Sequence, residues 1–508
     1  MKRIEADLLV TLAVLVSWIA MPGFAPIAHA AVPDDFVVRT IATGVDQPVA
    51  LDALPDGRLL VAEQRTGNLR LILGDETLVA LPVLTVPGLE LGNSEAGLLS
   101  LAVDPRWPEE PHVYCHYTNA SPSEMRLTRY TATGTLDDPQ ASDLAFGSPV
   151  QLLTGIPDVA GNHNGGTLAF GSDGLLYFSI GDDETQCAVF DIDRFEGKVL
   201  RLDVSGIGSS DRVTRSELVA TGNPFVGQGD IASLVWTKGL RNPFRMVIDP
   251  VDDALFIGDV GQVSREEISY VTAAGVDLGW PFREGNLVVL PGDGCTEPSS
   301  PQYQGPIWDY GRTEGRSVVA AFVYRAPIGA SRAWPAEYEG DFFYVDFFEG
   351  DLVRLTGAGQ SWSRAAPVGG QPSGDVWGND FGFAGQFRVA ADGSIDYVDT
   401  FGDAVRQIRF EGTASDTPQV PSSRVEVRAR PNPFNPGTVI EVRAPEGSRV
   451  EVTVHDARGR HVAELWSGVT ESALTELPWR VGDLASGVYH VRVDASGVVA
   501  TEKVTVVE

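Results

Sequence analysis

The sequence predicts an all-β chain, a six-bladed β-propeller followed by a small β-sandwich. Three observations carry the prediction. A unit of Gly- or Asp-rich turn, short apolar strand, second turn and Arg-bearing strand recurs six times before residue 412. The 55 Gly and 33 Pro favour a fold dense in turns, and few windows carry a helical period. A stretch poor in apolar residues and carrying two prolines, 412–423, then separates a second run of alternating strands.

The elements follow in chain order. Lys2 and Arg3 precede the apolar run Leu8 to Ala20, and Ala28-His29-Ala30 offers small residues at cleavage spacing. Residues 1–30 thus predict a secretory signal cut near Ala30, because the run falls short of the roughly 20 apolar residues a spanning helix needs. No second long apolar run follows, so the mature chain is expected to be exported and to lack a transmembrane segment. The six units begin at Leu54, Asp104, Ser172, Asp249, Gly340 and Asp392. Spread over 31–412, they take about 64 residues each, enough for four strands and a long loop. A large sandwich or β-helix is the alternative, since strand spacing alone does not determine closure. Residues 413–423 read as a linker, and 424–508 as the sandwich, with one buried face per strand.

Charge excludes some partners. The whole chain carries 38 Lys and Arg against 69 Asp and Glu, a formal −31. Segment 31–423 holds 26 basic and 55 acidic residues, whereas 424–508 holds 10 and 12. Nucleic acid and anionic membranes, both bound through Lys and Arg, are therefore not expected partners. Three scattered Cys without CxxC spacing do not form a zinc site. Export permits a disulfide, and Cys187 with Cys295 is the preferred pair.

Three stretches can carry chemistry. In Gly161-Asn-His-Asn-Gly-Gly166, His163 offers a base that titrates near neutral pH, and Asp182 after the next strand could orient it. A turn His beside an unrelated Asp is the equal alternative. In 236–245, Arg241 supplies a charged fork for a quinone oxygen, carboxylate or oxyanion, and Asn242 adds a donor and an acceptor. The alternative is a sequence that closes a blade. In 258–267, carbonyls in a Gly turn among carboxylates suit Ca²⁺, against the alternative of a solvated acidic turn. Loop 310–317 with Trp280, Trp308 and Trp377 could stack a carbohydrate, although propeller aromatics usually lie in the core.

The ordered set Glu95-Ala-Gly-Leu-Leu99, 162–168 with Gly181-Asp182, 197–202, Gly239-Leu-Arg-Asn-Pro243 and 258–262 with Gly279-Trp-Pro281 resembles the glucose/sorbosone dehydrogenase family. That family comprises soluble pyrroloquinoline-quinone (PQQ) sugar dehydrogenases and hedgehog-interacting-protein propellers. The resemblance spans most of 36–412 and implies six blades, PQQ and Ca²⁺. It implies that His163 takes the proton of a sugar hydroxyl, Asp182 orients it and Arg241 stabilises charge on the quinone. Asn242 would contact the cofactor, with Glu95 and Asn162 on the substrate side, and Lys238, one of four Lys in the chain, is a candidate to help hold the cofactor. Carbonyls of Gly261 and Gln262 would hold the metal. The tail, through Pro431-Asn-Pro-Phe-Asn-Pro-Gly-Thr438, resembles an immunoglobulin-like module of the type IX secretion sorting and flagellar hook-capping kind. It implies secretion or cell-surface attachment and a partner in that machinery.

One departure qualifies the cofactor. The family places Lys and Arg from its last blades on PQQ, but 344–350 and 381–387 contain no basic residue. Arg388, Arg312 and Arg316 are stand-ins, or an aromatic-rich opening stacks the quinone. The sequence therefore predicts an exported PQQ- and Ca²⁺-dependent oxidoreductase acting on an aldose, with an electron acceptor it does not identify. The alternatives are a non-catalytic propeller binding glycan or protein, and a Ca²⁺-dependent lactonase-like hydrolase.

Overall fold

A computed structural model describes residues 30–412 apart from 210, 211 and 328, together with the strands and some turns of 426–506. The leader through residue 29 and the linker over 413–423 lie outside the described residues. The contacts divide the chain into two units, 1–412 and 413–508.

The first unit contains six four-stranded antiparallel sheets. Their first strands are Pro48–Ala53, Leu98–Val103, Leu168–Phe170, Arg245–Ile248, Val318–Val323 and Ala384–Val389, and define sheets one to six. Each of these strands touches the first strand of the next sheet, and the sixth touches the first, which closes a ring. Sheets one to five are simple meanders. In the sixth, the outer strand is the N-terminal Phe36–Thr43, paired with Ala404–Phe410 from the other end of the unit. This pairing fastens the two ends of the unit into one sheet at the point of closure. Second strands such as Leu176–Ile180 and Phe342–Asp346 are buried throughout, because neighbouring sheets cover both faces. Leu, Val, Ile and Phe at successive positions satisfy that environment. Among the described residues there is no α-helix, and no helix long and apolar enough to cross a membrane.

The hub is closed by one side chain. Arg245, 1% exposed, donates to the carbonyls of Val49, Leu99, Gly166, Phe244 and Gly385, from sheets one, two and six and the lead-ins to sheets three and four. Every donor of the guanidinium fork is thereby used. Burial without a carboxylate partner lowers its pKa to about 9, which leaves it charged at neutral pH.

The second unit packs a three-stranded sheet (Glu426–Arg430, Gly437–Arg443, Leu474–Arg480) on a four-stranded one (His461–Val469, Arg449–Asp456, Gly487–Ala495, Val498–Val506). Val427, Ile440, Val452 and Val491 lie in the core between them. Cys187 is bonded to Cys295, and Cys115 is a buried free thiol.

Candidate functional site at the propeller hub

The loops that enter first strands and leave second strands gather at one end of the ring. The lead-in to sheet three, 161–167, brings His163 there in a left-handed conformation, φ 58°. Gly181 permits this, since a Cβ at that position would lie 1.9 Å from the His163 carbonyl oxygen. The His163 backbone N–H donates to Glu95 Oε2 at 2.8 Å, which links the lead-ins to sheets two and three.

His163 Nδ1 lies 2.7 Å from Asp182 Oδ1, at the end of the neighbouring strand. Asp182 Oδ2 accepts a hydrogen bond from Trp280 Nε1 at 2.8 Å. On the far side of the imidazole, Arg241 Nη2 is 2.8 Å from His163 Nε2. A guanidinium only donates, so Nε2 is the acceptor and the ring proton sits on Nδ1, facing the carboxylate. The tautomer that makes Nε2 an acceptor is therefore specified by partners on both sides. Arg241 Nη1 also donates to the Val260 carbonyl at 2.8 Å, and the guanidinium carbon lies 5.8 Å from the centre of the Trp280 ring.

Below this line is a support that sequence reading missed. Asp259 accepts backbone N–H groups of Arg241 and Asn242, and Asn242 Oδ1 accepts the N–H of Gly165. One buried carboxylate thus ties sheet four's lead-in, and through Asn242 the His163 loop. Burial pushes the Asp259 pKa up to about 7, and burial together with Asp259 itself raises Glu267, its partner across the strand pair. Asp259 stood in the stretch read as a calcium turn, where its acidity concealed its part in holding Arg241.

The remaining expected residues divide. Asn162, next to His163 in the chain, donates to Glu184 Oε1 at 2.7 Å. Lys238 does not join the cluster: it ends the outer strand of sheet three, and its ammonium pairs with Asp277. Gly261 is buried in a turn where a Cβ would strike the Arg265 carbonyl, and the exposed Gln262 accepts from Gln186 Nε2 at 3.3 Å. Among the described residues no group of three or more His, Cys, Asp and Glu forms a metal-ligand set. The stacking role for tryptophan is corrected, because Trp280 and Trp377 are buried, the latter in the aromatic core.

Each stand-in arginine is already matched to an acid. Arg312 pairs with Glu266, and Arg316 lies 3.4 Å from Glu349. Arg388, near the far end of its strand, lies 3.6 Å from Asp396. Phe347, Phe348, Phe383 and Phe401 occupy the site end of sheets five and six. Arg241 and Asn242 suit a quinone oxygen, but the residues present do not fit the three carboxylates of PQQ.

A closed β-propeller with a histidine, a carboxylate and a guanidinium in line at one end of the hub defines the class. Residues 45–364 match the glucose/sorbosone dehydrogenase family model, and the chain belongs to that family. Residues 429–507 match a secretion system C-terminal sorting domain, which points to secretion or the cell surface. Aldose sugar dehydrogenase of Escherichia coli is 26% identical over 252 residues, covering 50% of this chain and 63% of that protein. Human hedgehog-interacting protein is 27% identical over 233 residues, 42% of this chain and 32% of that protein. In fold the chain is similar to PQQ-bound aldose sugar dehydrogenase from Streptomyces coelicolor, with TM-score 0.56 and 24% identity over 75% of this chain and 99% of that one.

Proposed function

We propose that the chain is an exported oxidoreductase that oxidises a sugar CH–OH group, with His163 as general base. The observation that supports this reading is the line Asp182–His163–Arg241, which holds Nε2 as an acceptor beside a fixed positive charge. A sugar hydroxyl meeting Nε2 gives up its proton there as its carbon loses a hydride to a two-electron acceptor. General bases so placed contribute about 10²- to 10⁴-fold. Asp182 keeps the imidazole in the productive tautomer and stabilises its protonated form. Arg241, released from Nε2 by the entering hydroxyl, stabilises the negative charge arriving on the acceptor oxygen. Glu95 and Asn162 contact the sugar from the lead-ins of sheets two and three.

Calcium at the carbonyls of Gly261 and Gln262 is part of the proposal. The ion takes six to eight oxygens, so ligand and water would complete the shell. Its test is thermal: a chelator lowers the melting temperature if the folded chain binds calcium, and an unchanged value counts against it.

The test of the sugar-oxidation reading is dye reduction by the full chain over an aldose panel, with quinones supplied singly and His163→Ala as control. Turnover that survives the substitution removes His163 from the mechanism. No turnover on any sugar favours the second reading, a propeller that binds glycan or protein without chemistry. The absence of basic residues from 344–350 and 381–387 and the similarity to hedgehog-interacting protein support that alternative.

A further inference from the structure

The site end of sheets five and six carries a wall of phenylalanine where a carboxylated quinone would need cations. Phe347 and Phe348 follow sheet five's second strand, Phe383 leads into sheet six, and Phe401 follows that sheet's second strand. Their rings meet edge to face: Phe347 with Phe348 at 5.4 Å, Phe347 with Phe383 at 5.5 Å, Phe383 with Phe401 at 4.7 Å. Phe244 continues the wall 6.1 Å from Phe347, and its backbone N–H bonds the carbonyl of Asn242. The wall is therefore continuous with the segment that carries Arg241.

Two features separate this wall from ordinary core. Phe348 is 50% and Phe401 60% exposed, although burying such rings is favourable. Phe383 adopts φ 66°, a conformation rarely taken by bulky residues, held by a bond from its N–H to the Phe347 carbonyl and one from Thr400 N–H to its own. The charges alongside are mostly negative. Asp346, Glu349, Asp351 and Asp380 stand against Arg316, whose guanidinium carbon lies 5.5 Å from the centre of the Phe348 ring and which pairs with Glu349. A carboxylate brought here meets like charge in a domain already strongly acidic.

We propose that this wall binds an uncharged planar quinone, a co-substrate without carboxylates, as the electron acceptor of the site. The assignment rests on the sugar-oxidation reading. The reaction balances as alcohol plus quinone giving carbonyl compound plus hydroquinone. The C–H bond breaks with its electron pair passing to the quinone, and the hydroxyl proton reaches the reduced quinone by way of His163.

The test uses the full chain with duroquinone as the uncharged probe and PQQ as the tricarboxylated one, each titrated by tryptophan quenching. Duroquinone should bind more tightly than PQQ. The double variant Phe348→Ala, Phe401→Ala should weaken duroquinone about tenfold or more through lost ring contacts, with an unchanged melting temperature because both rings are exposed. Glu349→Lys should improve PQQ binding. Tighter binding of PQQ, or duroquinone binding indifferent to the double variant, overturns the assignment. The two readings fail separately. Sugar oxidation that depends on His163 without duroquinone binding sinks the wall and spares the sugar-oxidation reading. Duroquinone held by the wall without oxidation of any sugar does the reverse.

Discussion

Arg241 Nη2 occupies the lone pair of His163 Nε2 at 2.8 Å, so the imidazole and the guanidinium are engaged with each other. In the proposed reaction a hydroxyl enters between them, and the two side chains then act on the same event from opposite sides. Alanine at His163 should lower kcat about 10²- to 10⁴-fold. Alanine at Arg241 should lower it about 10²- to 10³-fold, as for other lost oxyanion donors. The double variant should lose far less than the product of the two, because each partner positions the other. Steady-state kinetics on the four proteins decides it, and additive losses would mean independent roles.

Trp280 acts through Asp182. Its indole N–H donates to the carboxylate oxygen that His163 does not use, and the buried ring packs beneath Arg241. Trp280→Phe retains most of the ring and removes only the donor. A lost hydrogen bond to a charged acceptor is worth about 1.5–3 kcal/mol, so kcat should fall at least about tenfold while KM is preserved. A change confined to KM would assign Trp280 to substrate binding instead.

Much of the fold was legible because each sheet announces itself locally. Turns such as Asp56-Gly57 and Asp173-Gly174 bracket continuous apolar strands, and burial on both faces explains the lack of alternation. Closure was not legible: Phe36 pairs with Phe410, and nothing near either residue signals a partner so distant in sequence. In the site, His163 stood out through its flanking glycines and Arg241 through its neighbours Asn242 and Pro243. Lys238 was a candidate for the cofactor because the chain has so few Lys, yet a chain turn at Gly239 separates it from Arg241 and the ammonium meets Asp277. Asp259 was hidden for the opposite reason, since its acceptors are used on backbone N–H groups that no side-chain pattern reveals.

Arg245 should be the most costly residue to replace in the hub. Its fork satisfies carbonyls from several sheets at once, and removal leaves those acceptors buried without donors. Each such acceptor costs about 1–3 kcal/mol, so Arg245→Met should destabilise by at least several kcal/mol. Lysine, with three donors on a flexible stem, should recover part of that loss. Denaturant unfolding of the three proteins measures the order, and a methionine variant as stable as the parent would refute a hub role.

Asp158 makes a pH-dependent prediction. It is 3% exposed, neither carboxylate oxygen has a partner, and burial with Asp183, Glu90 and Glu95 nearby raises its pKa to about 6. An acid whose pKa rises on folding holds its proton more tightly in the folded state. Its stabilising effect is complete below the ordinary value near 4 and is lost as pH rises through about 6. Asp158→Asn should therefore gain about 1–3 kcal/mol at pH 8 and little at pH 4. Melting curves at the two pH values test the sign, and an equal effect at both would show that charge is not the cause.

The cysteines give a prediction that can be counted. The bond between Cys187 and Cys295 closes a separation of 108 residues, joining the turn after Asp182 to the loop that follows Leu290. In the chain-entropy account a loop of that length is worth about 4–5 kcal/mol, so reduction should lower the denaturation midpoint clearly. Cys115 is buried, and burial raises its thiol pKa far above the ordinary value, so it should not react while the chain is folded. Thiol titration should find none in the folded chain, one after denaturation without reductant, and three after denaturation with reductant and its removal. Three thiols without reductant would show that the pair is not bonded. One thiol in the folded chain would show that the sheet-two core opens around Cys115.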